Sequence, residues 1–178
     1  MIVIAGLSGS FRKNSYNTAV LKAASKMLPG NIKLELLDIS KLPMFNEDLE
    51  GDELPNPVVE FKNQLSKSNA LLISSPEYNY SIPPVLKNAL DWASRGNIQP
   101  LSGKPVGIIS ASPSLLGGAR VQYHIRQVCV ALNMNPVNRP EVFIAEADKK
   151  FDFQGNLIDE KSKELIKELL QELVERIK

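Results

Sequence analysis

The sequence predicts an α/β fold: a five-stranded parallel sheet with helices on both faces, a three-layer sandwich. Three observations predict it. Apolar runs of strand length alternate with helical patterns five times, which is the signature of repeated βα units. Three of those runs are apolar throughout, as central strands covered on both faces must be. The chain has 178 residues, 43% hydrophobic and 23% charged, which fits one globular domain over residues 1–178.

The elements follow in order. Ile2–Gly6 is the first apolar run, and Leu7–Asn14 is the polar loop after it. Ser15–Leu28 reads as a helix, with Ala19, Val20, Ala23, Ala24 and Met27 on one side and Pro29-Gly30 as its stop. Ile32–Leu37 alternates, as a strand with one wet face does. Asn46–Pro57 is acidic and proline-rich and reads as a surface loop. Pro57–Lys67 is a helix with Asn56 as N-cap and Pro57 at its first position. Ala70–Ile73 is a second continuous apolar run, and Ser75–Ile82 leads into a helix opened by Pro83-Pro84 and ending near Ser94. Val106–Ile109 is the fourth strand, Ala111–Gly118 a loop, and Ala119–Leu132 a helix. A fifth strand lies in Pro136–Ile144, interrupted by Pro140, and the last helix spans Asp159–Lys178. The alternating second run and the interrupted fifth run suit edges. That places the strands in the order 2-1-3-4-5, the flavodoxin-like arrangement, whose ligand site lies where strands 1 and 3 diverge. The dinucleotide-binding order is the rival, and it needs a sixth strand that the sequence does not supply.

Composition excludes several functions. Lys plus Arg is 21 against 20 acidic residues, so a net charge of +1 offers no pull toward nucleic acid or an anionic membrane. The single Cys129 and single His124 leave no thiol or imidazole set for a metal. No apolar run is long enough to span a bilayer, and Met1–Ala5 lacks the basic start of a signal peptide, so a cytoplasmic location is expected. Cys129 shares a helical stripe with Val121, Ile125, Val128 and Leu132 and reads as a core thiol; His124 reads as a half-exposed helix residue and Asp38 as a turn residue.

The proposed strand order brings together the three loops with the most distinctive chemistry. The first, Gly6–Asn17, is rich in small residues and opens a helix. Its free N–H groups, Ser10, Ser15 and Asn17, and the Arg12 cation would form a phosphate cup. It lacks both the Walker and the dinucleotide glycine patterns. A Ser-capped helix after a turn would read the same way. The second loop, Ser75–Pro84, is stiffened by Pro76 and carries Tyr78 and Tyr80, and its Asn79 tolerates a left-handed turn. The third, Ser110–Arg120, carries Gly117-Gly118, which would let a flat ring or the loop itself move close to the backbone. Arg120 falls in a first helical turn, where a cation opposes the dipole, which makes it a candidate for a nucleotide contact or a subunit interface, for instance with Glu141. A phosphate cup beside a rigid aromatic turn suits a flat phosphorylated cofactor. With no metal set and no nucleophilic triad, the expected catalytic side-chain set is empty and the chemistry is the cofactor's.

At these residues the chain resembles the NADPH-dependent FMN reductase family, flavodoxin-like proteins that include quinone, chromate and some azo-dye reductases. The matching stretches are GSFRKNSYN (Gly9–Asn17), PEYNYSIPPVLKNALDW (Pro76–Trp92), LSGKPVG (Leu101–Gly107) and GGARVQYHIRQ (Gly117–Gln127), in the family's order. The resemblance implies bound FMN, electrons from NADH or NADPH, and a small-molecule acceptor such as a quinone, free flavin, chromate or azo compound. It assigns Ser10, Arg12, Ser15 and Asn17 to the FMN phosphate, and Pro76, Glu77, Tyr78 and Asn79 to the ring. The backbone near Ala111 and Ser112 would close the site, and Gly9, Tyr16 and Gly117 complete the implied set. It also implies a homodimer or homotetramer. One departure is Ser112-Pro113-Ser114-Leu115, where the family pattern leads one to expect more glycine. The alternatives are a flavodoxin-type electron carrier, which is usually far more acidic, and a nucleotide-dependent enzyme without flavin.

Overall fold

The computed structural model describes residues 1–51 and 54–177. Its strands are β1 (Ile2–Ser8), β2 (Ile32–Leu36), β3 (Ala70–Ser75), β4 (Pro105–Ala111), β5 (Asn135–Pro136) and β6 (Val142–Ile144). Its helices are α1 (Tyr16–Ser25), α2 (Asn56–Lys67), α3 (Pro84–Ala93), α4 (Ala119–Ala131), α5 (Ala147–Lys150) and α6 (Glu160–Glu175). The sheet is parallel in the order β2-β1-β3-β4-β5, with β6 also paired to β4. The expected order and helix placement therefore stand.

Period-two alternation divides the central strands between two cores. Ala5, Leu7, Leu71, Ile73, Val106 and Ile108 face α2, α3 and α4, where they meet Phe61, Leu90 and Ile125. Ile4, Leu72, Ile109 and Ala111 face α1 and α6, against Val20, Leu21, Ile166 and Leu169. Both faces of β3 and β4 are sealed, which is why these strands carry no exposed residue. Cys129 lies in the first core, and burial pushes its thiol up to about 11.

Several boundaries differ from expectation. The single fifth strand is two short pieces, because residues 138–141 leave the ladder around Pro140, which has no N–H to donate. Helix α1 starts one residue after Ser15, whose side chain accepts the Thr18 N–H as N-cap, and it stops at Ser25. In α2, Pro55 holds the cap position without a side-chain bond, and Asn56 is the first helical residue. Helix α6 is capped by Asp159, which accepts the Ser162 N–H at 2.9 Å. Within the Asn46–Pro57 loop, Glu47–Leu49 forms a 3-10 turn; Asp52 and Glu53 lie outside the described residues, as does Lys178 at the expected end of the last helix. Asp38 is a turn residue, its carboxyl held below the usual range by the Ser40 hydroxyl and N–H. Among the described residues no helix is long and apolar enough to cross a membrane, and no cluster of metal-ligating side chains forms.

Candidate functional site

The carboxyl ends of β1, β3 and β4 adjoin, and the three loops that leave them are fastened to one another. The Gly9 N–H donates to the Ser74 carbonyl at 2.9 Å. A Cβ on Gly9 would lie 2.6 Å from Ser75 Oγ and 3.2 Å from Pro76 Cδ, so only glycine lets the first loop rest on the second. Asn17 ties the first loop to the third. Its buried side chain donates Nδ2 to the Ala111 carbonyl at 2.9 Å and accepts the Ala111 N–H at 3.0 Å. The same Oδ1 accepts the Ser74 hydroxyl at 3.0 Å.

The first loop presents donors. The backbone N–H groups of Phe11, Lys13, Asn14, Tyr16 and Asn17 find no acceptor among the described residues. They cluster where the α1 dipole is positive. Ser10 Oγ accepts the Arg12 N–H at 3.2 Å and Ser15 Oγ accepts the Thr18 N–H at 3.4 Å, which leaves both hydroxyl protons available. The Arg12 guanidinium lies 5.2 Å from the centroid of the Tyr16 ring, and Tyr16 in turn packs on Phe151 with centroids 5.2 Å apart. Main-chain amides, two hydroxyls and a guanidinium form the donor set of an oxyanion site, and they fit the terminal phosphate of FMN.

The second loop is a tight turn. Tyr78 and Ser81 exchange backbone hydrogen bonds at 3.0 and 2.9 Å, and Asn79 and Tyr80 between them have φ of 48° and 68°. Two consecutive left-handed residues define a type I′ turn. Asn79 suits that conformation; Tyr80, with a bulky Cβ substituent, is strained in it. The N–H groups of Glu77, Asn79 and Tyr80 have no partner among the described residues, so the turn offers a set of donors to the polar edge of a planar ring. The Glu77 carboxylate is already engaged. It accepts Arg120 Nη1 at 2.9 Å and the Val121 N–H at 3.1 Å, so it caps a helix whose own N-cap, Gly118, has no side chain. That anion also resolves the expected conflict between Arg120 and the α4 dipole. Arg120 stacks on Tyr80, its guanidinium carbon 3.9 Å from the ring centroid. Within the chain Glu141 lies 3.7 Å from Arg139 and does not meet Arg120. His124, half-buried as expected, sits 3.0 Å from the Ser81 hydroxyl.

The polar groups at the start of the third loop are bonded within the chain. Both backbone polar groups of Ala111 are taken by Asn17, the Ser112 N–H by Ile144 at 3.0 Å, and the Ser112 carbonyl by the Ala147 N–H at 3.1 Å. Gly117 serves the fold: a Cβ there would lie 2.7 Å from the Ala145 nitrogen, and one on Gly118 would lie 2.9 Å from Ser110 Cβ. Gly117 thus lets the loop lie against the end of β6, and Gly118 lets it lie against β4. Asn17, Ala111, Ser112 and the Glu77 carboxylate are hydrogen-bonded within the chain, while Ser10 and Ser15 keep free hydroxyl protons and Arg12 is exposed. Ser74 belongs to this network and was not singled out from sequence; Tyr80, noted there as an aromatic of the second loop, was given no role. Serine is the last residue of β1 and β3 and the penultimate one of β4, a signal that could have marked Ser74. A separate open groove of about 750 Å³ lies at the sheet edge between Arg139, Phe143, Leu165 and Glu172, away from these loops.

A phosphate-type donor cluster and a rigid turn at the β1/β3 switch point of a 2-1-3-4-5 sheet define a flavodoxin-like nucleotide-binding protein. The family model for NADPH-dependent FMN reductase matches residues 2–149, and the chain belongs to that family of oxidoreductases. The chain is 49% identical over 172 residues to an NAD(P)H-dependent FMN reductase of Pseudomonas aeruginosa, covering 97% of this chain and 93% of that one. An NADPH:quinone oxidoreductase of Arabidopsis thaliana is 44% identical over 181 residues, covering 97% and 90%. Among solved structures, FerB, a flavoenzyme NAD(P)H:(acceptor) oxidoreductase from Paracoccus denitrificans, superposes with a TM-score of 0.90 at 32% identity, covering 99% of this chain and 97% of that one. These relatives are named as enzymes, which sets aside the electron-carrier alternative.

Proposed function

We propose that this chain, folded as one domain over residues 1–178, binds FMN in the cleft between the three loops and reduces small molecules with NADH or NADPH. Quinones and flavins are the acceptors its relatives' names indicate. The observation that carries the reading is the pair of unpaired donor sets: the α1 N-terminus with Ser10, Arg12 and Ser15, and the amides of Glu77, Asn79 and Tyr80. Bound FMN would supply the redox chemistry, taking up hydride and passing electrons on. The protein's residues do the rest. Ser10, Ser15 and Arg12 neutralise and hold the phosphate, and about 1.5–3 kcal/mol attaches to each charge-assisted bond. Pro76, Tyr78 and Asn79 present the rigid turn to the ring, and its free N–H groups favour negative charge on the ring's carbonyl edge. No side chain in the cleft needs to act as acid or base. A cytoplasmic location fits this use of NAD(P)H. Exposed Phe11, Leu115, Leu116 and Tyr123 supply apolar surface for a homodimer or homotetramer.

An absorbance spectrum of the pure protein, followed by NADH and NADPH titration without oxygen, tests the reading. Expected are flavin bands, tighter binding of FMN than of FAD, and bleaching by a nicotinamide nucleotide. A protein that binds neither flavin after reconstitution, or that binds FAD as tightly as FMN, overturns it.

A further inference from the structure

Arg120 makes two contacts that meet at the most strained residue of the second loop. Its Nη1 donates to Glu77 Oε1 at 2.9 Å, and its guanidinium plane covers the Tyr80 ring at 3.9 Å. Tyr80 has φ of 68°, a conformation that is strained for a bulky residue and persists only where neighbours over-determine it. The Tyr78–Ser81 hydrogen bonds fix the ends of the turn but not its central peptide, and Asn79 and Tyr80 carry amides with no partner. Glu77 is itself pinned, since its other oxygen accepts the Val121 N–H at 3.1 Å. The chain of contacts runs from the α4 backbone through Glu77 and Arg120 to the Tyr80 ring.

We infer that Arg120 is a positioning residue for the ring side of the flavin site: together with Glu77 it clamps Tyr80 in its left-handed conformation and so holds the turn amides ready for a ring. This rests on the reading of the cleft as a flavin site. Arg120 acts on the turn and touches no phosphate donor, so its effect must fall on ring affinity alone. A lysine would keep the ion pair with Glu77 but lose the planar stack on Tyr80.

Riboflavin, which has the ring but no phosphate, isolates that effect. Binding of riboflavin and FMN is measured by fluorescence quenching on the reconstitutable apoprotein, for the native chain, Arg120→Ala, Arg120→Lys, Tyr80→Gly and the double variant. Arg120→Ala is expected to weaken riboflavin about tenfold and FMN by the same factor, so the ratio of the two affinities stays constant. Arg120→Lys should lie between. Glycine takes a left-handed φ without strain, so in the Tyr80→Gly background Arg120→Ala should cost less than about twofold further. If the native chain binds no flavin, the reading of the site fails. If it binds and Arg120→Ala leaves riboflavin unchanged, or the loss persists in full in the Tyr80→Gly background, the clamp is refuted. A change in the FMN-to-riboflavin ratio also refutes it, because Arg120 would then serve the phosphate. Should Arg120→Ala not fold, Arg120→Lys alone and in the Tyr80→Gly background carries the same comparison.

Discussion

Replacing Asn17 with Ala removes one side chain and leaves three groups without their hydrogen-bond partner. Asn17 is 2% exposed, and it satisfies the Ala111 N–H at 3.0 Å, the Ala111 carbonyl at 2.9 Å and the Ser74 hydroxyl at 3.0 Å. Ala111 and Ser74 are buried themselves, so water does not easily replace the lost amide. Each buried polar group left unmatched costs about 1–3 kcal/mol, and non-additivity among three in one network brings the sum to about 3–5 kcal/mol. That is a large share of the roughly 5–15 kcal/mol that stabilises an ordinary domain. The assay is urea unfolding of the apoprotein followed by circular dichroism, where the midpoint should fall by about 1–2 M. Asn17→Asp is the discriminating partner. It keeps an acceptor for the Ala111 N–H and Ser74 but sets a carboxylate oxygen against the Ala111 carbonyl, so it should also destabilise. If Asn17→Ala lowers stability by less than about 1 kcal/mol and instead weakens FMN alone, the amide serves a phosphate and the latch between α1 and β4 is not its role.

The remaining predictions follow from the same geometry. Arg12→Ala with Ser15→Ala should weaken FMN roughly hundredfold while changing riboflavin little, read by fluorescence titration; equal losses for both flavins would move these residues away from the phosphate. Gly117→Ala should destabilise the fold in thermal melts, because its φ is 57° and the new Cβ would lie 2.7 Å from the Ala145 nitrogen; an unchanged melting temperature would show that the loop yields freely. Cys129 should resist thiol reagents in the folded protein, and its thiol, pushed up to about 11 from an ordinary 9.0, should withdraw stability as pH rises from about 9 toward 11, because only the unfolded chain ionises easily there. Cys129→Ala should flatten that part of the stability profile.

The fold was legible because each central strand is apolar on both faces and each edge strand is marked by alternation or proline. The divided fifth strand was harder. Pro140 signals an interruption, but the short runs on either side are set by which β4 groups remain free, and that is a property of the assembled sheet. Helix ends slipped for a related reason. Asn56 is a good capping residue, yet with Pro55 before it and Pro57 after it the chain enters α2 one residue early. In the site, the small polar residues of the first loop declared themselves by type. Tyr80 did not, because nothing in the run Tyr78-Asn79-Tyr80-Ser81 says that a tyrosine will take a left-handed φ. The guanidinium that covers its ring comes from Arg120, 40 residues along the chain, which the local run does not reveal.

The same short motifs do two jobs, and the geometry separates them. Side chains that are doubly bonded, buried Asn17 and half-buried Glu77, cannot release those bonds without orphaning backbone groups of β4 or α4. Groups that end in unmatched N–H or O–H donors can bind an anion at no such cost. A residue of the family's binding motif can therefore also hold the loops together. Asn17 keeps the first and third loops at a fixed separation, and Glu77 keeps the second loop on the third. Between these two fasteners lie the free amides of the first and second loops, already assembled before any ligand arrives. Such preorganisation lowers the entropic cost of binding and keeps the donors from closing on one another. Substitutions at the fasteners should accordingly show first in stability and secondarily in every ligand alike, whereas a substitution at exposed Arg12 should spare stability and discriminate ligands by their phosphate, and one at Ser15 should do the same while also losing the α1 cap.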